Sequence, residues 1–106
     1  MDLDEYQDRT QETAVYPDEH AIEYLSLGLN DEAGEVAGAM KKYLRGDYDE
    51  DELRSRMEGE TGDVLWYLVR LLDELDMSAT DIMHKNADKL FDRKERGEIR
   101  GDGDNR

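Results

Sequence analysis

The chain has 106 residues, of which 29 are acidic and 14 basic, a formal net charge of −15 and no cysteine. This length predicts one domain at most, and the lack of cysteine excludes disulfides and thiolate metal sites. The charge disfavours binding to nucleic acid or anionic membranes. No apolar run is long enough to span a bilayer. The acidic N-terminus lacks the apolar segment of a secretory signal, so we expect a cytoplasmic protein.

The acidic residues are distributed along the chain rather than gathered in one tail, which argues against a simple disordered acidic arm. An acidic surface of this kind is typical of proteins kept soluble at high salt and suggests a halophilic source. A chain this short buries only a modest core, which favours pairing with a second copy. If the substrate is an anion, metal cations or local lysines and arginines must lie between it and the protein.

Two helical segments are predicted in the first half of the chain. Residues 3–14 form a short, weakly apolar helix. Pro17 then breaks the chain, with Asp18 as the N-cap of the next helix. Six apolar residues recur at helical spacing after this break: Ile22, Leu25, Leu29, Val36, Met40 and Tyr43.

Two further helices are predicted in the second half. Gly46 favours the end of the second helix, and Asp49 caps a third over residues 51–76. Ser78 or Thr80 caps a fourth over residues 79–96. No strand-like alternation occurs, so the fold class is all-α, a bundle of four helices. We expect one helical domain over residues 1–96 and a flexible, glycine-rich tail over residues 97–106.

Two pairs of acidic residues lie at the edges of the predicted buried helix faces. Each residue advances about 100° around a helix. With the apolar stripe of the second helix centred on Leu29, Glu32 lies about 60° and Glu35 about 120° from it, on one side. On the third helix, Glu60 lies about 40° and Asp63 about 100° from the apolar stripe, again on one side. Antiparallel packing of the two helices predicts that the four carboxylates converge.

Carboxylates that share a partly buried site repel each other unless a cation compensates their charge. Mg²⁺ prefers oxygen ligands and leaves positions for substrate phosphates, so the four acids predict a metal site. The alternative is that such pairs face solvent, since they arise often by chance in a chain with 29 acids. Five glycines near the pairs indicate close backbone approach, room for a ligand or tight helix packing: Gly28, Gly34, Gly38, Gly59 and Gly62.

Three segments carry a family resemblance: EAGEV with Glu32 and Glu35, GETGDVLWYL with Glu60 and Asp63, and NADKLFDR near the C-terminus. In this order, with 24 residues between Glu35 and Glu60, the chain resembles the short, single-domain MazG-like nucleotide pyrophosphohydrolases of the all-α NTP pyrophosphatase superfamily. The resemblance is weakest over the first fifteen residues.

The resemblance implies a hydrolase that converts (deoxy)nucleoside triphosphates to the monophosphate and pyrophosphate and clears the nucleotide pool. It implies Mg²⁺, or Mn²⁺, held by Glu32, Glu35, Glu60 and Asp63, which are then the catalytic and metal-binding residues. It also implies a homodimer or homotetramer with active sites near subunit contacts.

The phosphate-binding residues implied by the resemblance lie on the fourth helix. Asn86, Lys89 and Arg93 share one face at i, i+3 and i+7, and Arg93 suits a forked contact with phosphate oxygens. The alternative for these three is a solvated face. Lys41 and Lys42 follow the first acid pair and are further candidates for phosphate binding. For each of these lysines, the alternative is a cation favoured by the helix dipole.

Tyr67 lies one turn after Asp63 and is expected to stack on a base, whereas Trp66 turns away and is expected in packing or an interface. The sequence does not identify the preferred base or sugar, the number of metal ions, or the acid that activates water. Within the superfamily, a dUTP- or dCTP-preferring enzyme or a phosphoribosyl-ATP pyrophosphatase-like relative is the nearest rival. An alternative from a different functional class is a non-catalytic acidic helical dimer that binds cations or protein partners.

Overall fold

A computed structural model describes all 106 residues as four α-helices joined by short connections. The helices are α1 (Leu3–Thr10), α2 (Ala21–Leu44), α3 (Glu50–Glu74) and α4 (Ala79–Glu95). The predicted all-α class with four helices is confirmed. The first helix is shorter than predicted, because the chain tightens into a 3₁₀ turn at Gln11–Thr13. None of the helices combines the length and the apolar character needed to cross a membrane.

Two of the predicted helix caps form as expected. The Asp49 Oδ1 accepts from the backbone N–H of Glu52 at 2.9 Å, and the Ser78 Oγ accepts from that of Asp81 at 3.2 Å. The prediction of Asp18 as an N-cap is wrong, because Asp18–His20 form a separate 3₁₀ turn and α2 begins only at Ala21.

Gly46 lies two residues after Leu44, the last residue of α2, in the left-handed region at φ 89°. Its backbone N–H donates to the Tyr43 carbonyl at 2.9 Å, and that of Asp47 donates to the Lys42 carbonyl at 3.0 Å. This pair of bonds is a Schellman motif, which satisfies carbonyls left open at a helix end. The turn sends the chain back, so α3 packs antiparallel along α2.

The contact between α2 and α3 is closest at Gly28. A Cβ at this position would stand 2.1 Å from the Tyr67 Cε1 atom, so only glycine lets the tyrosine ring lie against the backbone of α2. The predicted close backbone approach is therefore present at Gly28. The same helix pair contains Leu25 and Val69, the two most fully buried large side chains.

A buried guanidinium anchors the N-terminal segment to α3. Arg70 is 3% exposed and donates to the Asp73 Oδ2 at 2.8 Å, the Glu74 Oε1 at 3.1 Å and the Tyr16 hydroxyl at 2.9 Å. The Gln7 side chain on α1 donates to the Asp73 Oδ1 at 2.9 Å. The opposite charges and hydrogen bonds compensate the cost of burying Arg70.

The single chain is open. Its radius of gyration is 16.7 Å, against about 13 Å for a compact chain of this size. The fourth helix packs against α1 and part of α3 and leaves most of α2 uncovered. Ile22 and Met40, which periodicity places on a buried stripe, are therefore 42% and 40% exposed in one copy of the chain.

We expect Gly28→Ala to lower the free energy of unfolding by about 1–3 kcal/mol, since the new methyl group overpacks Tyr67. Gly38→Ala is the matched control on the same helix, because a Cβ there meets nothing within 4 Å. This control should be stabilising by up to about 1 kcal/mol through helix propensity. Urea unfolding at one salt concentration measures both values. An equal response of the two variants would contradict the assigned contact.

The Arg70 network predicts a loss of stability in acid. Burial by itself would raise the pKa of Asp73, but hydrogen bonds from Gln7 and Arg70 lower it below its ordinary value. A lowered folded-state pKa contributes stability above the unfolded value of about 3.9, and that stability disappears as the pH falls through the folded value.

Asp73→Asn should therefore lower stability at pH 7 and flatten the stability profile below about pH 4. Asp51→Asn, at an exposed position without side-chain bonds, should keep the native profile. Thermal unfolding followed by circular dichroism from pH 3 to pH 7 gives both profiles. An unchanged profile for Asp73→Asn would show that the network does not depend on this carboxylate.

Candidate metal centre

Three of the four predicted acids come together between α2 and α3. One carboxylate oxygen each from Glu32, Glu60 and Asp63 can be chosen so that all lie within 4.8 Å of one another. We refer to these three residues as the acid cluster. Glu32 and Glu60 are partly buried and Asp63 is exposed, so the cluster is reached from solvent.

The register of the two helices explains this convergence. Tyr67 of α3 lies against Gly28 of α2. Four residues further along α2 is Glu32, and four residues back along α3 is Asp63. In an antiparallel pair these positions lie one turn from the Tyr67 contact on both helices, so the two carboxylates face each other. Glu60 lies a further turn along the same face of α3.

The acid cluster is electrostatically uncompensated. Burial, followed by the negative charges of Asp63 and Glu60, raises the pKa of the Glu32 carboxyl. No member of the cluster forms an ion pair with a lysine, arginine or histidine. Closely spaced oxygen donors without a protein cation suit a hard divalent ion such as Mg²⁺ or Mn²⁺.

Glu35 lies outside the close group, although it is the fourth predicted ligand. It is exposed on α2, and its charge adds to those that raise the pKa of Glu32. Its role as a ligand stays a prediction.

Sequence reasoning missed one residue at the edge of the cluster. Burial and then the negative charge of Asp63 raise the pKa of the Tyr6 hydroxyl, so α1 brings Tyr6 near the acids. The short, weakly apolar α1 carries no periodic signal that would have indicated this.

The structure does not bring Lys41 and Lys42 to the cluster. Both are exposed in the last turn of α2 and form no side-chain ion pair. Lys41 lies nine residues beyond Glu32, which is about 14 Å along the helix axis. Within one chain their position fits the alternative of cations at a helix C-terminus.

The three predicted residues on α4 also lie apart from the acid cluster within one chain. Asn86 lines an apolar groove between α3 and α4. The Lys89 Nζ donates to the Asp104 Oδ1 at 2.7 Å. Arg93 is 5% exposed, and its Nη2 donates to the Asp104 carbonyl at 2.5 Å and to the Asp104 Oδ1 at 3.1 Å. The tail thus folds back and places a carboxylate on the proposed phosphate-binding cations.

Of the two neighbouring aromatic residues of α3, Trp66 lies in packing contacts, as predicted. The Trp66 Nε1 donates to the Thr13 Oγ1 at 2.8 Å, and its ring meets Tyr16 edge-on, so Trp66 is a packing residue. Tyr67 is half-buried beside Tyr24, with ring centroids 6.5 Å apart. Its predicted contact with a base stays a prediction.

Comparison with known proteins agrees with the fold. Residues 20–97 match the MazG nucleotide pyrophosphohydrolase domain, and this span contains all four predicted acids. The Gene 37 protein of Mycobacterium phage L5 is 42% identical over 117 aligned positions, which cover the whole of both chains. No solved structure gives a significant match. With a matching family over most of its length and a helical fold that brings three of the four motif acids together, the chain belongs to the MazG nucleotide pyrophosphohydrolase domain family.

Proposed function

We propose that this protein hydrolyses nucleoside triphosphates, including deoxynucleotides, to the monophosphate and pyrophosphate, and that it clears the nucleotide pool. The observation that carries this proposal is the acid cluster, in which three carboxylates from two helices approach within 4.8 Å without a cation partner. Membership of a family of nucleotide pyrophosphohydrolases, typically dependent on divalent metals, supports the reaction type.

The acid cluster would hold Mg²⁺, with Glu35 as a further ligand after a change of rotamer. When bound, the ion would supply positive charge between the carboxylates and the substrate phosphates and would lower the pKa of a bound water. The side chains of the cluster fix this charge at the α2–α3 contact. The chain carries a net charge of −15, so the rest of its acidic surface would repel a triphosphate.

Positive side chains would then hold the outer phosphates. Lys41 and Lys42 have no protein partner, whereas Lys89 and Arg93 are held by Asp104. The Arg93 Nε is buried without a hydrogen-bond partner, so one N–H of this guanidinium is left to donate to a further oxygen acceptor. Phosphate binding by α4 requires the tail to release Asp104 and a second copy of the chain to bring α4 to the acids.

A second copy is expected to cover the groove between α3 and α4. This groove has a volume of about 290 Å³, and eight of its nine lining residues are hydrophobic. Leu68 and Met83 in its wall are 40% and 50% exposed. Isolated exposed apolar residues are ordinary, but a contiguous groove of them is typical of an interface.

Pyrophosphate release from a nucleotide panel with Mg²⁺, run across salt concentrations, tests the reaction. Asp63→Asn should lower kcat/KM by at least about a hundredfold, since it removes a ligand charge. Asp51→Asn on the same helix should retain full activity. Pyrophosphate must be the phosphate product. Release of single phosphates would point to another reaction, and no release at all would favour the non-catalytic acidic dimer.

Glu32→Gln tests both the effect of the acid cluster on stability and its binding of metal. A carboxyl with a raised folded-state pKa destabilises the fold increasingly as the pH rises above 4.5, its ordinary value. The metal-free variant should therefore melt a few degrees higher than the native protein at pH 7.5 and equally at pH 4. Mg²⁺ should raise the melting temperature of the native protein but not of the variant. An equal Mg²⁺ response would place the metal elsewhere.

Sedimentation equilibrium tests the assembly. The native chain should form a dimer or tetramer at micromolar concentration. Leu68→Glu should dissociate it, because a charge in the groove cannot be buried unpaired. Val15→Glu, at a position 92% exposed and outside the groove, should not. A monomeric native chain would contradict the proposal.

A further inference from the structure

A cleft beside the acid cluster is not used by the metal centre. Its volume is about 340 Å³, which lies within the range of small-ligand sites, about 300–1,000 Å³. It is lined by four residues of α2 and one of α3: Tyr24, Leu27, Gly28, Asp31 and Tyr67. Aromatic surface with a single carboxylate is a typical lining for a flat, partly polar ligand.

The cleft adjoins the acid cluster directly. Asp31 precedes Glu32 in α2, and Tyr67 lies one turn beyond Asp63 in α3. The pKa of the Tyr67 hydroxyl is raised by burial, then by the neighbouring Tyr24 hydroxyl, and then by the charges of Glu32 and Asp31. The ring of Tyr67 therefore lies within the field of a cluster carboxylate.

The lining restricts the chemistry of the ligand. Tyr24 and Tyr67 offer ring faces and edges, and Leu27 is a 72% exposed apolar side chain at the rim. The only ionic group is the Asp31 carboxylate, which accepts hydrogen bonds but cannot donate them when ionised. It attracts an amino group and repels a carbonyl oxygen. We therefore expect a planar ligand that presents an amino group to this carboxylate.

We propose that this cleft binds the nucleobase of the substrate and that Asp31 selects bases with an exocyclic amino group, such as cytosine, adenine and guanine, over uracil and thymine. This inference rests on the proposed pyrophosphohydrolase function. The base lies against Tyr67 and Tyr24, and its amino group donates to the Asp31 carboxylate. Uracil would place a carbonyl oxygen where cytosine places its amino group, so the two oxygens would repel each other.

The dCTP and dUTP pair tests the selection, because the two bases differ at this edge alone. The native enzyme should prefer dCTP by about tenfold or more in kcat/KM, the effect of one hydrogen bond to a charged group. Asp31→Asn should bring the ratio close to one, since an amide both donates and accepts. Removing one negative charge should favour the binding of every triphosphate to the same extent. That effect therefore cancels in the ratio of kcat/KM for dCTP to kcat/KM for dUTP.

Asp51→Asn is the matched control, an exposed acid on α3 far from the cleft, and should leave the ratio unchanged. Tyr67→Leu should raise the KM for dCTP several-fold through loss of the ring. A native preference for dUTP, or a ratio that Asp31→Asn leaves unchanged, would overturn the inference while leaving the proposed reaction intact.

A binding measurement decides the question independently of turnover. Trp66 is the only tryptophan, and its ring lies 5.0 Å from that of Tyr67, so its fluorescence reports occupancy of the cleft. With Mg²⁺ present, dCMP should bind about tenfold more tightly than dUMP, and Asp31→Asn should remove the difference. Equal binding of dCMP and dUMP to the native protein would overturn the inference even if no nucleotide were hydrolysed.

Discussion

The Tyr67 ring occupies the space that a Cβ at residue 28 would fill, 2.1 Å from its Cε1 atom. A glycine at this point of α2 lets the two long helices approach and fixes their register. One turn away on both helices, Glu32 and Asp63 then face each other. The position of the acid cluster therefore depends on a packing contact that involves no charged side chain. The same contact forms one wall of the cleft proposed for the base.

The acid cluster lowers the stability of the folded chain. Its carboxylates repel one another, burial raises the pKa of Glu32, and no lysine or arginine compensates the charge. The buried Arg70 stabilises the C-terminal part of the same helix, where it binds Asp73, Glu74 and Tyr16. Unpaired acids in the middle of α3 and paired acids near its C-terminal end mark the functional and structural parts of one helix.

The open shape of the chain follows from its few buried residues. Only nine of 106 residues are buried, and just two of these are large side chains excluded almost entirely from solvent. A core of this size leaves apolar surface exposed on α3 and α4. It also leaves the tail free to use Asp104 as a partner for Lys89 and Arg93, which one chain alone does not bring to the acids.

The sequence by itself determined the helices and the faces on which their acids lie. Periodicity and capping residues such as Asp49 and Ser78 act within a few residues, so local pattern is sufficient to predict them. The same local information failed at Asp18, where a separate 3₁₀ turn replaces the expected cap. It also failed for Ile22 and Met40, which are 42% and 40% exposed because no helix of the chain covers them.

Only the tertiary structure decided which side chains meet. Glu32 joins Glu60 and Asp63 while Glu35 lies outside, and Tyr24 and Asp31 form a cleft with Tyr67. These groupings depend on the register and rotation of α2 against α3, which the contact between Gly28 and Tyr67 sets across 38 intervening residues. Helical periodicity gives the direction of a side chain from its own axis, but it contains no information on how two axes are aligned.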